Sequence, residues 1–224
     1  MRRVTLALLA LTPALFACGA GQAVNPVTTA VQVVDLITGP RAAPLDISAS
    51  FTPEVLAGIN QPLLAAEMPA RKANATMVVV GNNAGHLTWV AADGIMLITK
   101  DGILTGTRGF GRDLMVSNVS AVLPALRAGS GTMAREMSRI DDEGHVIPTR
   151  YNCTITRGGP QQVDLISRQV ATHLVTEACE SAVGDGAGEA FVNRYWLDGT
   201  GRIRRSDQWV GPLYGHILLY QLVD

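Results

Sequence analysis

Three cysteines, four histidines and one run of acids are the groups in this 224-residue chain with the chemistry for covalent, metal or acid–base work. Asp141, Asp142 and Glu143 could supply the two carboxyl groups of a glycoside hydrolase, which must flank a sugar bond about 5–10 Å apart. Neighbouring acids just before Gly144 are more simply the solvated tip of a hairpin, and that reading is preferred. His86, His145, His173 and His216 lack the close spacing of a helical zinc pair and read as surface or satisfied core positions. No Gly-x-Ser-x-Gly elbow supports a serine hydrolase. Gly184-Asp185-Gly186-Ala187-Gly188 lacks the lysine and the strand-to-helix setting of a phosphate loop and reads as a turn. No catalytic residue, metal ligand or cofactor is assigned.

Binding chemistry is better represented near the C-terminal end. Tyr195, Trp196 and Trp209 lie close to Arg202, Arg204, Arg205 and Gln208, and aromatic faces beside planar guanidinium donors suit sugar rings and acidic substituents. A glycan or partner contact is therefore expected at Trp196, Trp209, Tyr195 and Arg205. In a strand Tyr195 and Trp196 point to opposite faces, so at most one of them serves a given surface. The favoured alternative is that the tryptophans fill the core, because aromatic residues are only 5% of the chain and the core has few others to use.

Cys18 carries a different chemistry. Arg2 and Arg3, the apolar run Val4 to Phe16 and the small Ala17 stand in the order of a secretory signal, too short to span a bilayer as a mature helix. The cysteine directly after Leu15-Phe16-Ala17 resembles the lipobox of bacterial lipoproteins, although Phe16 is bulkier than the usual occupant of its position. That resemblance implies cleavage before Cys18, which then carries a thioether-linked diacylglycerol and an amide-linked third chain. Each buried methylene contributes ~0.8 kcal/mol, so two or three chains hold a protein far more firmly than one. Gly19 stands where an Asp would signal inner-membrane retention, so the resemblance implies the outer membrane. The alternative is a plain signal peptide cut near the same place, leaving a soluble periplasmic protein.

Composition agrees with an envelope protein. The 207 residues after the cleavage point fit one β-rich domain with a sizeable core. A net charge of −1 argues against nucleic acid, whose phosphates need a basic face. Cys153 and Cys179, 26 positions apart, are the number that pairs in an oxidising compartment. Their bridge would stabilise by ~3–4 kcal/mol on the chain-entropy model. Two buried free thiols are the alternative. A metal site finds no histidine or third cysteine at ligand spacing beside either.

The elements that must position these groups are mostly strands. Residues 18–26 are small and polar enough for a tether. Val27, Val31, Val34 and Ile37 to Thr38 recur at helical spacing and stop at Gly39-Pro40. Thr52-Pro53-Glu54 opens another short helix. From Met77 onward, apolar runs of four to six residues alternate with breaks at Asn82-Asn83, Asp93-Gly94 and Asp101-Gly102, the pattern of a β-meander. Within a mixed patch between Asp113 and Arg127, "VSAVLPALRAGSG" (residues 119–131) reads as a short helix ending in a flexible loop. Strands then resume around Asp142–Gly144, continue across Gly158-Gly159, and turn again at Asp198-Gly199-Thr200-Gly201. Polar and apolar residues alternate from Ile203 to Val210, as a half-exposed strand requires.

The stretches "NNAGHLTWVAADGIMLITKDGILTGTRGFGRDL" and "FVNRYWLDGTGRIRRSDQWVGP" resemble the YjbF/group 4 capsule polysaccharide lipoprotein family of bacterial outer-membrane lipoproteins. The likeness runs from about Val31 to the C-terminus and includes "LITGP". Trp89, Asp93, Gly94, Asp101 and Gly102 fall in the first hairpin text of the family; Asn193, Trp196, Gly201, Ser206, Gln208 and Pro212 fall in its last. The resemblance implies a mainly β fold, an antiparallel meander forming a partly open barrel or curled sandwich with a few short helices. It transfers no catalytic residues, and the Cys153–Cys179 pairing rests on compartment rather than on the family pattern. The whole then reads as a signal peptide (1–17), a lipidated tether (18–26) and a single β-rich periplasmic domain (27–224). On this reading the chain is a non-enzymatic scaffold on the periplasmic face of the outer membrane, held there by acyl chains. It would assist exopolysaccharide or capsule export, with export proteins and possible polysaccharide as partners; a glycan-binding module and a glycan-modifying hydrolase are the alternatives.

Overall fold

In a computed structural model, which describes residues 51–166, 168–182 and 189–224, the alternating runs assemble into one antiparallel meander. The signal segment, the tether with Cys18, the helix expected over Val27–Thr38 and the turn at residues 184–188 lie outside the described residues. The strands are β1 (Leu63–Met68), β2 (Ala73–Asn83), β3 (His86–Ala91), β4 (Met96–Lys100), β5 (Ile103–Arg108) and β6 (Leu114–Ser117). They continue as β7 (Ser130–Ile140), β8 (Val146–Asp164), β9 (Gln169–Ser181), β10 (Ala190–Asp198), β11 (Ile203–Gly211) and β12 (Gly215–Val223). Two short helices are added, α1 (Pro53–Ala57) and α2 (Val122–Ala128).

The sheet order is β5-β4-β3-β2-β1-β12-β11-β10-β9-β8-β7-β6, so the first and last strands pair in its middle and the edges are β5 and β6. Curling brings those edges together as a nearly closed barrel, the first of the two forms expected. Side chains bridge the seam: the Leu114 amide donates to Thr107 Oγ1 (2.9 Å), Thr107 Oγ1 to Asp113 Oδ1 (2.7 Å), and Arg108 Nη1 to the Leu114 carbonyl (3.3 Å). Gln208 reaches from β11 to the same edge strand, accepting from the Leu104 amide (2.8 Å) and donating to the Gly102 carbonyl (2.9 Å). Groups that an open edge would offer to other chains are thereby occupied.

Helix α2 closes one end of the barrel. Val122 and Leu126 pack against Ile103, Ile155, Val175, Leu197 and Ile203. Gly129, at φ 75°, ends the helix by donating to the carbonyls of Ala125 (2.8 Å) and Leu126 (3.1 Å). The flexible loop expected after this helix is absent, because β7 starts at Ser130 and is paired with β8 from that residue on. Outside the barrel α1 starts where Thr52-Pro53 placed it, with Thr52 Oγ1 accepting from the Val55 amide (3.4 Å). Its Leu56 packs on Leu63, Ala65 and Leu222.

Turn chemistry is mostly where it was expected. Asp101 and Gly102 take φ values of 50° and 84°. One break moves: Asn82 and Asn83 end β2, and the turn is Ala84-Gly85 at φ 50° and 83°. Asn82 Oδ1 holds that turn by accepting from the Gly85 amide (3.0 Å), so the asparagine serves as its cap rather than its centre. Strand β8 runs through Gly158-Gly159 with a bulge between Arg157 and Pro160.

Cys153 and Cys179 lie directly opposite each other on β8 and β9, their Cα atoms 4.0 Å apart, and are joined as a disulfide buried in the main core. The Cys153→Ala/Cys179→Ala double variant should lose about 2–4 kcal/mol of unfolding free energy in urea titration. An unchanged midpoint would show that the hairpin alone sets this register.

Candidate functional site on the outer face of the last three strands

Alternation along β10, β11 and β12 sends Trp196, Arg205 and Tyr220 to the same face, and the register sets them side by side: Trp196 opposite Arg205, Arg205 opposite Tyr220. The Arg205 guanidinium carbon lies 4.5 Å from the Trp196 ring centroid and 5.2 Å from that of Tyr220. Such cation–aromatic contacts are worth about 0.5–2 kcal/mol depending on desolvation. Arg205 forms no ion pair among the described residues, and its buried Nε has no hydrogen-bond partner there. Trp196 donates from Nε1 to Gln161 Oε1 (2.6 Å) and is enclosed by Val163, Leu165 and Leu174. The half-buried members of this ladder are therefore the guanidinium and the Tyr220 ring. Burial pushes the Tyr220 phenol above its ordinary range, and Arg205 partly offsets that.

The neighbouring arginines are engaged. Arg204 donates to Asp198 Oδ2 (2.6 Å) and to both carboxylate oxygens of Asp224 (2.6 and 2.7 Å), while Arg202 pairs with Asp224 at 3.2 Å. Partial burial opposes ionisation of Asp198, but the Thr200 hydroxyl, Arg204 and the Arg202 and Thr200 amides outweigh it and hold this carboxyl well below the usual range. Asp198 thus contributes stability that is complete above the unfolded value of 3.8 and lost as the pH falls toward the depressed folded value.

Tyr195 and Trp209 sit on the other side of the sheet, in the interior. Tyr195 donates to Glu177 Oε2 (2.9 Å), which also accepts from Arg135 Nη1 (2.6 Å) and Asn193 Nδ2 (2.8 Å). Arg135 in turn donates from Nε to Ser117 Oγ (3.0 Å), and Asn193 Oδ1 accepts from the Trp209 amide (2.7 Å). Arg135 is 2% exposed and Glu177 0%. Trp209 stacks on Phe191 at 4.5 Å with planes 8° apart, and Arg139 lies 4.1 Å over its ring. Trp209 fills the interior as the core alternative described for the tryptophans, Tyr195 joins it there, and Trp196, 8% exposed, is buried on the other face beside Arg205. The Arg135–Glu177–Asn193 network was missed from sequence. Its one local signal is that Glu177 shares strand parity with the apolar Val175 and Cys179, an acid on an otherwise inward face.

The acids at the β7–β8 tip are used by the turn. Asp141 Oδ1 accepts from the Glu143 (3.0 Å) and His145 (2.7 Å) amides, and Asp142 pairs with Arg112. The His145 amide is the largest influence holding the Asp141 carboxyl below its usual value. Asp141, Glu143 and His145 bring possible ligand atoms within 4.8 Å of one another at this exposed tip, as do Cys153, Glu177 and Cys179 in the interior. In the interior set the bonded sulfurs are no longer thiolate donors.

A family model described as "Group 4 capsule polysaccharide lipoprotein gfcB, YjbF" matches residues 20–222. The crystal structure of the hypothetical lipoprotein YmcC from Escherichia coli K12 is 17% identical with a TM-score of 0.68, covering 82% of this chain and 98% of that one. At that identity it establishes the shared fold. A Bacteroides fragilis NCTC 9343 protein with a YmcC-like fold is 11% identical with a TM-score of 0.31, covering 72% of this chain and 93% of its own. No curated protein matches the sequence. Among the described residues no helix is long and apolar enough to cross a membrane.

Proposed function

Since this chain belongs to the group 4 capsule polysaccharide lipoprotein (YjbF) family, we propose that it is a non-enzymatic scaffold, anchored by acyl chains on Cys18 to the periplasmic face of the outer membrane, that assists export or assembly of an extracellular polysaccharide. The observation that carries the docking part of this reading is Arg205: a guanidinium held between two aromatic rings with no carboxylate partner among the described residues. The half-buried guanidinium carries a charge without a carboxylate partner among the described residues, so an anionic group that a partner supplies at this face can pair with it. An acidic segment of an export protein fits this chemistry. A polymer with acidic substituents is the second reading, favoured by the same unpaired charge. The enclosure of Trp196 speaks for the protein, because a sugar ring stacks on an open aromatic face.

A photoreactive phenylalanine analogue in place of Tyr220, irradiated in living cells, tests the docking face. The expected result is one crosslinked polypeptide of defined mass, lost when Arg205→Glu is added. A carbohydrate-positive smear would favour the glycan reading, and no crosslink from a folded, membrane-bound protein would overturn the docking face.

A further inference from the structure

The end of the barrel away from α2 is a mouth formed by the turns that follow β1, β3, β5 and β11, and it holds a cavity of about 280 Å³. Its floor is Ala66, Ala75, Ala91, Leu97 and Ile217, side chains without a single polar atom. The three alanines make the space, at inward positions on strands whose other inward residues include Met77 and Trp89. Phe110 and Tyr214 form the outer wall, their rings edge to face with centroids 5.3 Å apart. The Tyr214 hydroxyl donates to the Phe110 carbonyl, which ties the β11–β12 turn to the loop after β5 and fixes the opening. At the rim, Arg71 lies 5.0 Å over the Tyr214 ring and donates to the Leu213 carbonyl (3.5 Å). It has no ion pair among the described residues, whereas the other rim charge, Asp93, is used by its own turn, accepting from the Ile95 amide (3.1 Å).

The lining selects the ligand. A sugar pushed against these five side chains would lose hydrogen bonds its hydroxyls make with water and regain few, because the polar side chains of the lining are confined to Arg71, Asn74, Asp93 and Tyr214, an unfavourable transfer. An aliphatic chain loses nothing and buries its surface. The volume is roughly twice the 150 Å³ of a dry protein cavity that binds benzene, which allows about a dozen carbons. The unpaired guanidinium at the rim suits a carboxylate or phosphate head. We propose that the mouth pocket binds the end of an aliphatic chain whose anionic head is held at Arg71. Membrane phospholipid and free fatty acid are both sources of such a chain, and the two are separable by experiment; the acyl groups expected on Cys18 are linked as esters and an amide and carry no anionic head.

The probe is cis-parinaric acid, a linear fatty acid that fluoresces when it leaves water, titrated into the full-length mature chain carrying Cys18→Ala. Saturable fluorescence, displaced by decanoate, is the expected result. Ala75→Leu, which fills the cavity at a half-buried position, should weaken binding at least tenfold while leaving the thermal midpoint unchanged or raised. Arg71→Ala should weaken displacement by decanoate about tenfold and leave displacement by decanol unaltered. Absence of saturable binding, or equal binding by the folded Ala75→Leu chain, would overturn the pocket; equal competition by decanoate and decanol in both proteins would overturn the role of Arg71. Repeating the competition with dioctanoyl phosphatidic acid beside decanoate identifies the source. Displacement by the phospholipid at lower concentration than decanoate makes membrane lipid the occupant, and the reverse order makes it free fatty acid.

Discussion

Glu177→Ala is expected to lower the unfolding free energy by about 3–5 kcal/mol, the cost of leaving a buried charge without its counter-ion. Glu177 Oε2 gathers three donors, from Arg135, Asn193 and Tyr195, which belong to β7 and β10 on either side of the β8–β9 hairpin. Burial, followed by the adjacent Glu177 charge, pushes the Tyr195 phenol far above its ordinary range, so it remains a neutral donor throughout the accessible pH range. Removing the carboxylate leaves the Arg135 guanidinium, 2% exposed, with Ser117 and the adjacent Tyr195 hydroxyl but no counter-ion among the described residues. The double variant Arg135→Met/Glu177→Leu should be less damaging than Glu177→Ala, because it removes both charges and fills the same space with apolar atoms. Guanidinium titration of all three proteins measures this. An unfolding free energy for Glu177→Ala within about 1 kcal/mol of the wild type, from the midpoints and m values, would mean that the interior relaxes enough to hydrate Arg135.

Cys18→Ala is expected to move the protein from the membrane pellet to the soluble periplasmic fraction and to abolish incorporation of labelled palmitate. At ~0.8 kcal/mol per buried methylene, even one long acyl chain supplies about 10 kcal/mol of membrane affinity before entropic losses, and no side-chain contact on the barrel approaches that. The barrel itself should be unaffected, with the same unfolding midpoint, since its core is built from residues 56–222. Retention of the Cys18→Ala chain in the pellet after a high-salt wash would point to a second membrane contact.

Local chemistry was legible in the sequence where one or two residues decide the backbone. Asp101-Gly102 turns and Thr52-Pro53 starts a helix, because each depends on φ preferences or a cap within four residues. The closure of the barrel was not legible: Leu63–Met68 pairs with β12 about 150 positions away, and nothing in a six-residue apolar run names its neighbour. The candidate site was readable in composition but not in geometry. Alternation separates Tyr195 from Trp196, yet it cannot relate Trp196 to Trp209, because bulges between Trp196 and Leu197 and between Trp209 and Gly211 shift the register. Arg202, Arg204 and Arg205 look equivalent as text. Only the placement of Asp198 and Asp224 in space shows that two of them are paired and Arg205 is not.

The scaffold account is tested most directly by the amount of extracellular polysaccharide made by a strain lacking this protein and complemented with Arg205→Glu. The reversed charge should leave the barrel folded, acylated and in the membrane, because Arg205 takes part in no ion pair or hydrogen bond among the described residues. Surface polymer reduced to the level of the uncomplemented strain is the predicted result. Wild-type polymer in both the Arg205→Glu strain and the uncomplemented strain would contradict the account.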